Sequence, residues 1–340
     1  PGMISEFIIG RHAASNTARA YRKLSNGTPW MVIGYIGVFT GFLILSYYAV
    51  VSGWTLQYLY ASMLGHLHGE PHYFADYFSA FEKNPFKPVF WTVIVLLITH
   101  YVIVHGVRDG IEKASKVMMP ALFILLLVIV VASCMLPNAY KGVEFLFHPD
   151  FTKVNSGVFL GALGQAFYSL SLGMGCLCTY ASYFSRQTKL TNSAIQVAVV
   201  DTIVAILAGL MIFPAAFSIG VNPDSGPSLI FITLPNVFQQ AFASMPVVGY
   251  IISMLFYALL GLAALTSAIS LHEVSTAFFH EELHISRKMA AWIVTIGCSL
   301  MGAVCSLSLG KWDGLQIYGK SLFDCFDFVT GQILLPFGGL

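Results

Sequence analysis

The sequence predicts an all-α integral membrane protein, and three observations carry that prediction. Charged residues make up 10% of the 340 positions, against roughly 25% in a soluble domain, and apolar residues make up 57%. The apolar residues fall in runs of about 20 or more, the length that crosses a hydrocarbon core as a helix; a barrel strand would alternate over about ten. One such run, residues 164–183 (GQAFYSLSLGMGCLCTYASY), is interrupted in its middle by Ser171, Leu172, Gly173, Met174 and Gly175. Glycine is about 1 kcal/mol worse than alanine inside a helix, so two within three residues beside a serine predict local unwinding. Unwound backbone at bilayer depth is tolerated only where protein buries it or where it lines a water-filled cavity. The break therefore predicts a site for a small polar ligand or an ion.

Residues 1–10 read as the last turns of a helix, followed by a basic loop with Arg11, Arg19, Arg22 and Lys23. Positions 24–65 carry no charge and hold one long span, 30–59. A polar loop with His66, His68, His72 and Asp76 leads to a span at 88–104, and 105–116 is basic again. Further spans are expected at 117–136, 157–184 with the break, 191–220, 247–279, 288–309 and 321 to the end. Residues 221–244 open with NPDSGP and continue with the apolar LIFITLP, which is too apolar for a plain loop and reads as a helical hairpin dipping into an outer vestibule. The chain opens at Pro1 and stops inside an apolar run at Leu340, which reads as truncation at both ends.

Loops alternate sides, so lysine and arginine can be counted by side. Arg11, Arg19, Arg22, Lys23, Arg108, Lys113, Lys116, Arg186, Lys189, Arg287 and Lys288 make eleven on one side; Lys83, Lys87, Lys141, Lys153, Lys311 and Lys320 make six on the other. The richer side is expected to be cytoplasmic. The only glycosylation sequon, Asn26-Gly27-Thr28, then falls inside, as suits a prokaryotic protein. A net charge of +1 offers nothing to nucleic acid. The six cysteines all lie in or beside apolar spans, which argues against a disulfide framework, and Cys176-x-Cys178 reads as packing.

Ionisable groups deep in a span are functional candidates. Asp201 lies a third of the way into an otherwise uncharged span that directly follows the broken helix. It suits a monovalent cation, since hard cations take oxygen ligands; the alternative is an aspartate that reaches water at the span's end. Ala263, Thr266, Ser267 and Leu271, spaced three, one and four apart, fall on one helical face and offer a carbonyl, two hydroxyls and an apolar side chain. Small hydroxylated residues also serve simply to pack membrane helices closely. Tyr48 is a mid-span phenol that needs a hydrogen-bond partner. Asp324 and Asp327 share a face near the start of the last span, where a solvated helix start is the competing account. Gly110 and Pro120 bracket the start of their span, which a proline in a first helical turn also explains. No nucleophile and base stand at a useful spacing, so an enzyme is not expected.

Together these residues resemble the neurotransmitter:sodium symporter family along the whole chain. The blocks that carry the likeness are PGMISEFIIGR, YYAVVSGWTL, GQAFYSLSLGMGCLCTYASY, FITLP, ALTSAIS and FDCFDF, in the family's order. The resemblance implies an inverted-repeat sodium symporter bundle with a discontinuous sixth helix and binding near the midplane. Residues 1–340 would form a single transporter domain: 1–136 the remnant of the first repeat, from the end of the second helix to the fifth, and 137–340 the second repeat, from the sixth helix to part of the tenth. The family's first helix, most of its second and everything after mid-tenth would lie outside the chain.

By that resemblance Ala263, through its carbonyl, Thr266 and Ser267 match one sodium site, and Ser169 with Asp201 match another. Ile44, Tyr48, Tyr168, Ser169, Ser171, Leu172, Gly173, Met174, Ser267 and Leu271 match the substrate pocket, with the Tyr48 hydroxyl on a substrate carboxylate and Tyr168 as an aromatic lid. Asp327 matches an outer-gate carboxylate with Gln165 beside it, and Gly110 with Pro120 a pattern whose helix can unwind toward the inner sodium.

The implied function is a multi-pass symporter in a bacterial inner membrane, taking Na+ and a small-molecule amino acid, with the lipid bilayer as its other partner and no nucleic acid. Asp201 stands where many members have asparagine and Ala205 where chloride-dependent animal members have serine, so transport without chloride is expected. Met174 stands where some bacterial members have phenylalanine; methionine re-packs around differently shaped ligands, so a broad hydrophobic or aromatic pocket is expected. A transporter of another amine or osmolyte, or a sensor that binds without carrying, is the alternative.

Overall fold

The computed structural model describes residues 1–106, 108–185, 187–220, 228–312, 314 and 316–339. It is helical throughout; among the described residues the only β-type pairing is the isolated bridge between Ile317 and Lys320. The first helices, α1 (Gly2–Ala13) and α2 (Thr17–Leu24), are joined by a tight turn in which the Asn16 side chain accepts the Arg19 N–H and caps α2.

Next comes the uncharged run, as one 33-residue helix, α3 (Met31–Met63), followed by α4 (Pro71–Glu82). Asn84 Oδ1 then accepts the N–H groups of Phe86 and Lys87 at 2.9 Å and starts α5 (Lys87–His105), whose first turn holds Pro88 and whose end is set by Gly106 at φ 63°. The chain continues with α6 (Arg108–Cys134), α7 (Ala139–Phe147), α8 (Ser156–Ser169), α9 (Cys176–Ala181), α10 (Leu190–Ile219), α11 (Ser228–Ala241), α12 (Pro246–Leu283) and α13 (Arg287–Leu309). The chain finishes as α14 (Leu322–Phe328), a π-helical turn at Val329–Leu334 and α15 (Leu335–Gly339).

Among the described residues six helices, α3, α5, α6, α10, α12 and α13, are long and apolar enough to cross a membrane. Burial ranks them by position. The most apolar window of α3 is 72% buried and that of α10 only 11%, so α3 is the central post and α10 an exposed rim. Around α3 pack α2, α5, α12 and α13. An aromatic cluster fills one end of this core, with Tyr58 ringed by Phe231 at 4.9 Å and Tyr257 at 5.4 Å.

At the opposite end the basic turn meets the end of α12. Arg19 Nε lies 2.9 Å from Glu282 Oε1, Arg22 Nη1 3.0 Å from Glu282 Oε2, and Asn16 Nδ2 donates to Glu281 Oε2 at 2.7 Å. The arginines that the side count assigns to the cytoplasm are thus partly spent on tethering α12.

Three stretches that sequence reading treats as loops contain α2, α4 and α7. The expected hairpin at 221–244 is represented by one helix, α11; its NPDSGP start lies outside the described residues. Helix α1 lies directly on α9, and Gly10 permits it: a Cβ there would stand 2.1 Å from the Cys178 carbonyl oxygen. That contact brings α1 beside the break.

Candidate functional site

The break separates α8 from α9. Ser171 (φ 56°), Gly173 (φ 75°) and Gly175 (φ 76°) are all left-handed, so alternate residues turn the chain out of helical geometry. A non-glycine residue in that region is strained, and Ser171 is held there by its neighbours. Leu172 N–H reaches back to the Phe167 carbonyl at 2.8 Å and Ser171 N–H to Tyr168 at 3.2 Å.

Two further backbone groups of the break are satisfied from outside. Gly173 N–H donates to Glu6 Oε1 of α1 at 2.7 Å, and Thr17 Oγ1 of α2 donates to the Gly175 carbonyl at 2.8 Å. Glu6 is 6% exposed, and its second oxygen, Oε2, has no hydrogen-bond partner among the described residues. The unwound segment is therefore a cradled element, as buried backbone polar groups require.

Next to it lies a cavity of about 310 Å³, near the lower end of the ~300–1,000 Å³ typical of small-molecule sites. Ile44 and Tyr48 of α3 form one wall; Gln165, Tyr168 and Ser169 of α8, with Ser171, Met174 and Cys176, form a second; Ser267, Ser270 and Leu271 of α12 form the third. Nine residues singled out from sequence are brought together here: Ile44, Tyr48, Gln165, Tyr168, Ser169, Ser171, Met174, Ser267 and Leu271. Leu172 and Gly173 are not in the wall. The left-handed residues turn them outward: Leu172 lies against Gly2, and a Cβ on Gly173 would come within 2.6 Å of the Leu335 carbonyl oxygen.

Two groups of oxygen atoms flank the cavity. Ser169 Oγ donates to Asp201 Oδ1 of α10 at 2.7 Å. On α12, Thr266 Oγ1 donates to the Ala263 carbonyl at 2.7 Å, Ser270 Oγ to the Thr266 carbonyl at 3.0 Å, and Tyr180 OH to Ser270 Oγ at 2.7 Å. Among the described residues no group of three or more His, Cys, Asp and Glu could hold a metal ion. Carbonyls, hydroxyls and a single carboxylate are ligands for a hard cation of low charge, not for a transition metal.

Asp327 lies outside the cavity wall, exposed on α14; its carbonyl accepts from Thr330 Oγ1 at 3.2 Å, and that hydroxyl also lies 3.1 Å from Tyr47 OH. Gly110 and Pro120 both lie within α6, which is helical through the proline.

Sequence reading missed Glu6, Cys176, Ser270, Tyr180 and Tyr47. Glu6 was visible as a lone carboxylate in an apolar run, by the same reasoning that singled out Asp201. Ser270 stands four residues after Thr266, on its face. Cys176 carried no signal, because its position depends on the geometry of the break.

The sequence profile of the sodium:neurotransmitter symporter family matches residues 79–336. The sodium-dependent transporter YhdH of Bacillus subtilis is 37% identical over 342 residues, covering 100% of this chain and 74% of that protein. A sodium-dependent transporter of Haemophilus influenzae is 34% identical over 347 residues, covering 98% and 75%. The archaeal transporter MJ1319 of Methanocaldococcus jannaschii is 32% identical over 357 residues, covering 100% and 70%. Among solved structures, MhsT in complex with L-phenylalanine superposes with a TM-score of 0.95 at 42% identity, over 100% of this chain and 76% of that one. With the broken helix, the cavity beside it and these likenesses in agreement, the chain belongs to the sodium:neurotransmitter symporter family, multi-pass membrane proteins of sodium-coupled transport.

Proposed function

We propose that this chain is a symporter of hydrophobic or aromatic amino acids in a bacterial inner membrane, driven by sodium, working by alternating access and needing no chloride. The observation that carries the reading is the cavity walled by Ser171 and Met174 of the unwound turn, Tyr48 and the hydroxyl face of α12. An amino acid needs polar groups for its charged end and an apolar wall for its side chain. Tyr48 and Ser171 offer the first; Ile44, Met174 and Leu271 offer the second. The bound L-phenylalanine in the MhsT structure supports an aromatic ligand of this size.

Sodium would sit at two places: against Ala263, Thr266 and Ser267, and against Ser169 with Asp201. A carboxylate at 201, with Ala205 one turn on, supplies fixed negative charge where a chloride would otherwise be needed. Tyr168 would close over the substrate, Gln165 and Asp327 would act at the outer gate, and α6 would open near Gly110 and Pro120 to let sodium leave inward. Residues 1–136 and 137–340 would be parts of two inverted repeats that rock about this cavity. Sodium drives uptake only to the extent that it favours substrate-competent states.

The test is sodium-dependent accumulation of labelled L-phenylalanine in proteoliposomes, set beside equilibrium binding. Accumulation above the external concentration under an inward sodium gradient supports a symporter. Sodium-dependent binding without accumulation would make the protein a sensor.

A further inference from the structure

A second polar cluster lies on the far side of α12 from the cavity. His100 of α5, Thr295 of α13, and His272 and Thr276 of α12 are 8%, 2%, 0% and 0% exposed. His100 Nδ1 lies 3.0 Å and His272 Nε2 2.9 Å from the same atom, Thr295 Oγ1, and Thr276 Oγ1 lies 2.9 Å from His272 Nδ1.

The protons can be assigned by counting. The Thr295 hydroxyl donates its one hydrogen to the Ala291 carbonyl at 2.8 Å, so toward both histidines it can only accept. His100 is then protonated on Nδ1 and His272 on Nε2. His272 Nδ1 is left as an acceptor, filled by the Thr276 hydroxyl. One threonine oxygen takes both its lone-pair bonds from imidazoles of two different helices, while its own helix takes its hydrogen. Trp292, on the same face of α13, covers His100 with ring centroids 4.1 Å apart.

His272 and Thr276 lie five and nine residues beyond Ser267, which puts them roughly 140° and 180° round the helix from it. Ser267, Ala263 and Leu271 share the opposite face. The rotation of α12 therefore decides where its oxygen atoms point, and the imidazole bridge is what resists that rotation from behind. We propose that His100, Thr295, His272 and Thr276 are positioning residues for the cation face of α12: they lock its rotation against α5 and α13 so that the Ala263 carbonyl and the Thr266 and Ser267 hydroxyls converge. This inference rests on the reading of that face as a sodium site.

Thr295→Val keeps the shape of the side chain and removes the shared acceptor, leaving two buried N–H groups unpaired. The same three helices stay joined by Arg287, which pairs with Glu273 of α12 and donates to the Ile103 carbonyl of α5 at 3.5 Å. The experiment measures binding of radiolabelled L-phenylalanine to the purified full chain across a sodium titration. Thr295→Val is expected to raise half-saturating sodium roughly five- to tenfold, the scale of a lost buried hydrogen bond. Ligand affinity at saturating sodium should be unchanged, and Thr295→Ser, which keeps the hydroxyl, should behave as wild type.

A wild-type sodium midpoint in Thr295→Val, or a loss of affinity that is equal at every sodium concentration, overturns the inference. Should Thr295→Val not give monodisperse protein, Thr276→Val is read the same way: a smaller rise in the sodium midpoint supports the lock, and none overturns it. If wild-type binding ignores sodium altogether, the functional reading fails and this inference with it, whereas a sodium-dependent wild type with an unmoved Thr295→Val removes the lock alone.

Discussion

Ser169 Oγ donates a 2.7 Å hydrogen bond to Asp201 Oδ1 and so joins the last turn of α8 to the rim helix α10 at the edge of the cavity. A hydroxyl held by a carboxylate keeps its oxygen lone pairs turned toward whatever lies in front of it. Removing the charge while keeping the shape tests what the pair is for. Asp201→Asn is expected to raise half-saturating sodium by about tenfold or more, the scale of a charge-assisted bond. A sodium activation curve superimposed on wild type would dissociate this pair from cation binding.

Met174 lines the cavity together with Leu271 and is 4% exposed. An unbranched thioether re-packs around ligands that a rigid ring excludes. Met174→Phe should narrow the range toward smaller side chains, read as competition by a panel of amino acids against labelled L-leucine. Unchanged competition by L-tryptophan would count against this role.

Glu6 tests whether the break is cradled or merely tolerated. Glu6→Gln keeps an acceptor for the Gly173 N–H, while Glu6→Ala leaves that donor buried and unpaired at a cost of about 1–3 kcal/mol. Thermal unfolding in detergent should place Glu6→Gln near wild type and Glu6→Ala clearly below it. Equal melting temperatures for the two variants would show that the bond to Gly173 is dispensable.

Glu82, at the end of α4 and outside the membrane-spanning helices, predicts a pH dependence. Burial pushes its carboxyl up to about 7 from the usual 4.5, with Lys83 pulling it back and Asp324 adding to the rise. The folded state then holds this proton more tightly than the unfolded chain does. The stability gained is complete below the unfolded value and is lost as pH rises through the folded one. The melting temperature should fall between about pH 5 and pH 8, and Glu82→Gln should flatten that slope. A slope unaltered in Glu82→Gln would assign it to other groups.

Much of this was legible in the sequence, for identifiable reasons. Long apolar runs mark α3, α5, α10, α12 and α13 because their ends are set by local chemistry: prolines in the first turns of α5 and α12, and glycines in left-handed conformation after α5 and α10. The break was legible because glycine and serine write a backbone conformation into the chain. Ser267 and Leu271 could be placed on one wall by helical spacing alone. What spacing could not give is which way the unwound residues face, so Leu172 and Gly173, expected in the wall, lie against Gly2 and Leu335. Nor could it show that Glu6 and Thr17, more than 150 positions away in sequence, satisfy the break's backbone. The histidine bridge was invisible for the same reason: His100, His272 and Thr295 share no motif and meet only because α5, α12 and α13 pack together.

If sodium drives uptake through the cavity beside the broken helix and Asp201 makes chloride unnecessary, transport should follow the sodium gradient and ignore the anion. The most direct measurement is uptake of labelled L-phenylalanine into proteoliposomes under an inward sodium gradient, with chloride or gluconate as the only anion. Concentrative uptake that collapses when the sodium gradient is dissipated and is the same in both anions is expected. Uptake indifferent to the sodium gradient, or abolished in gluconate, would contradict it.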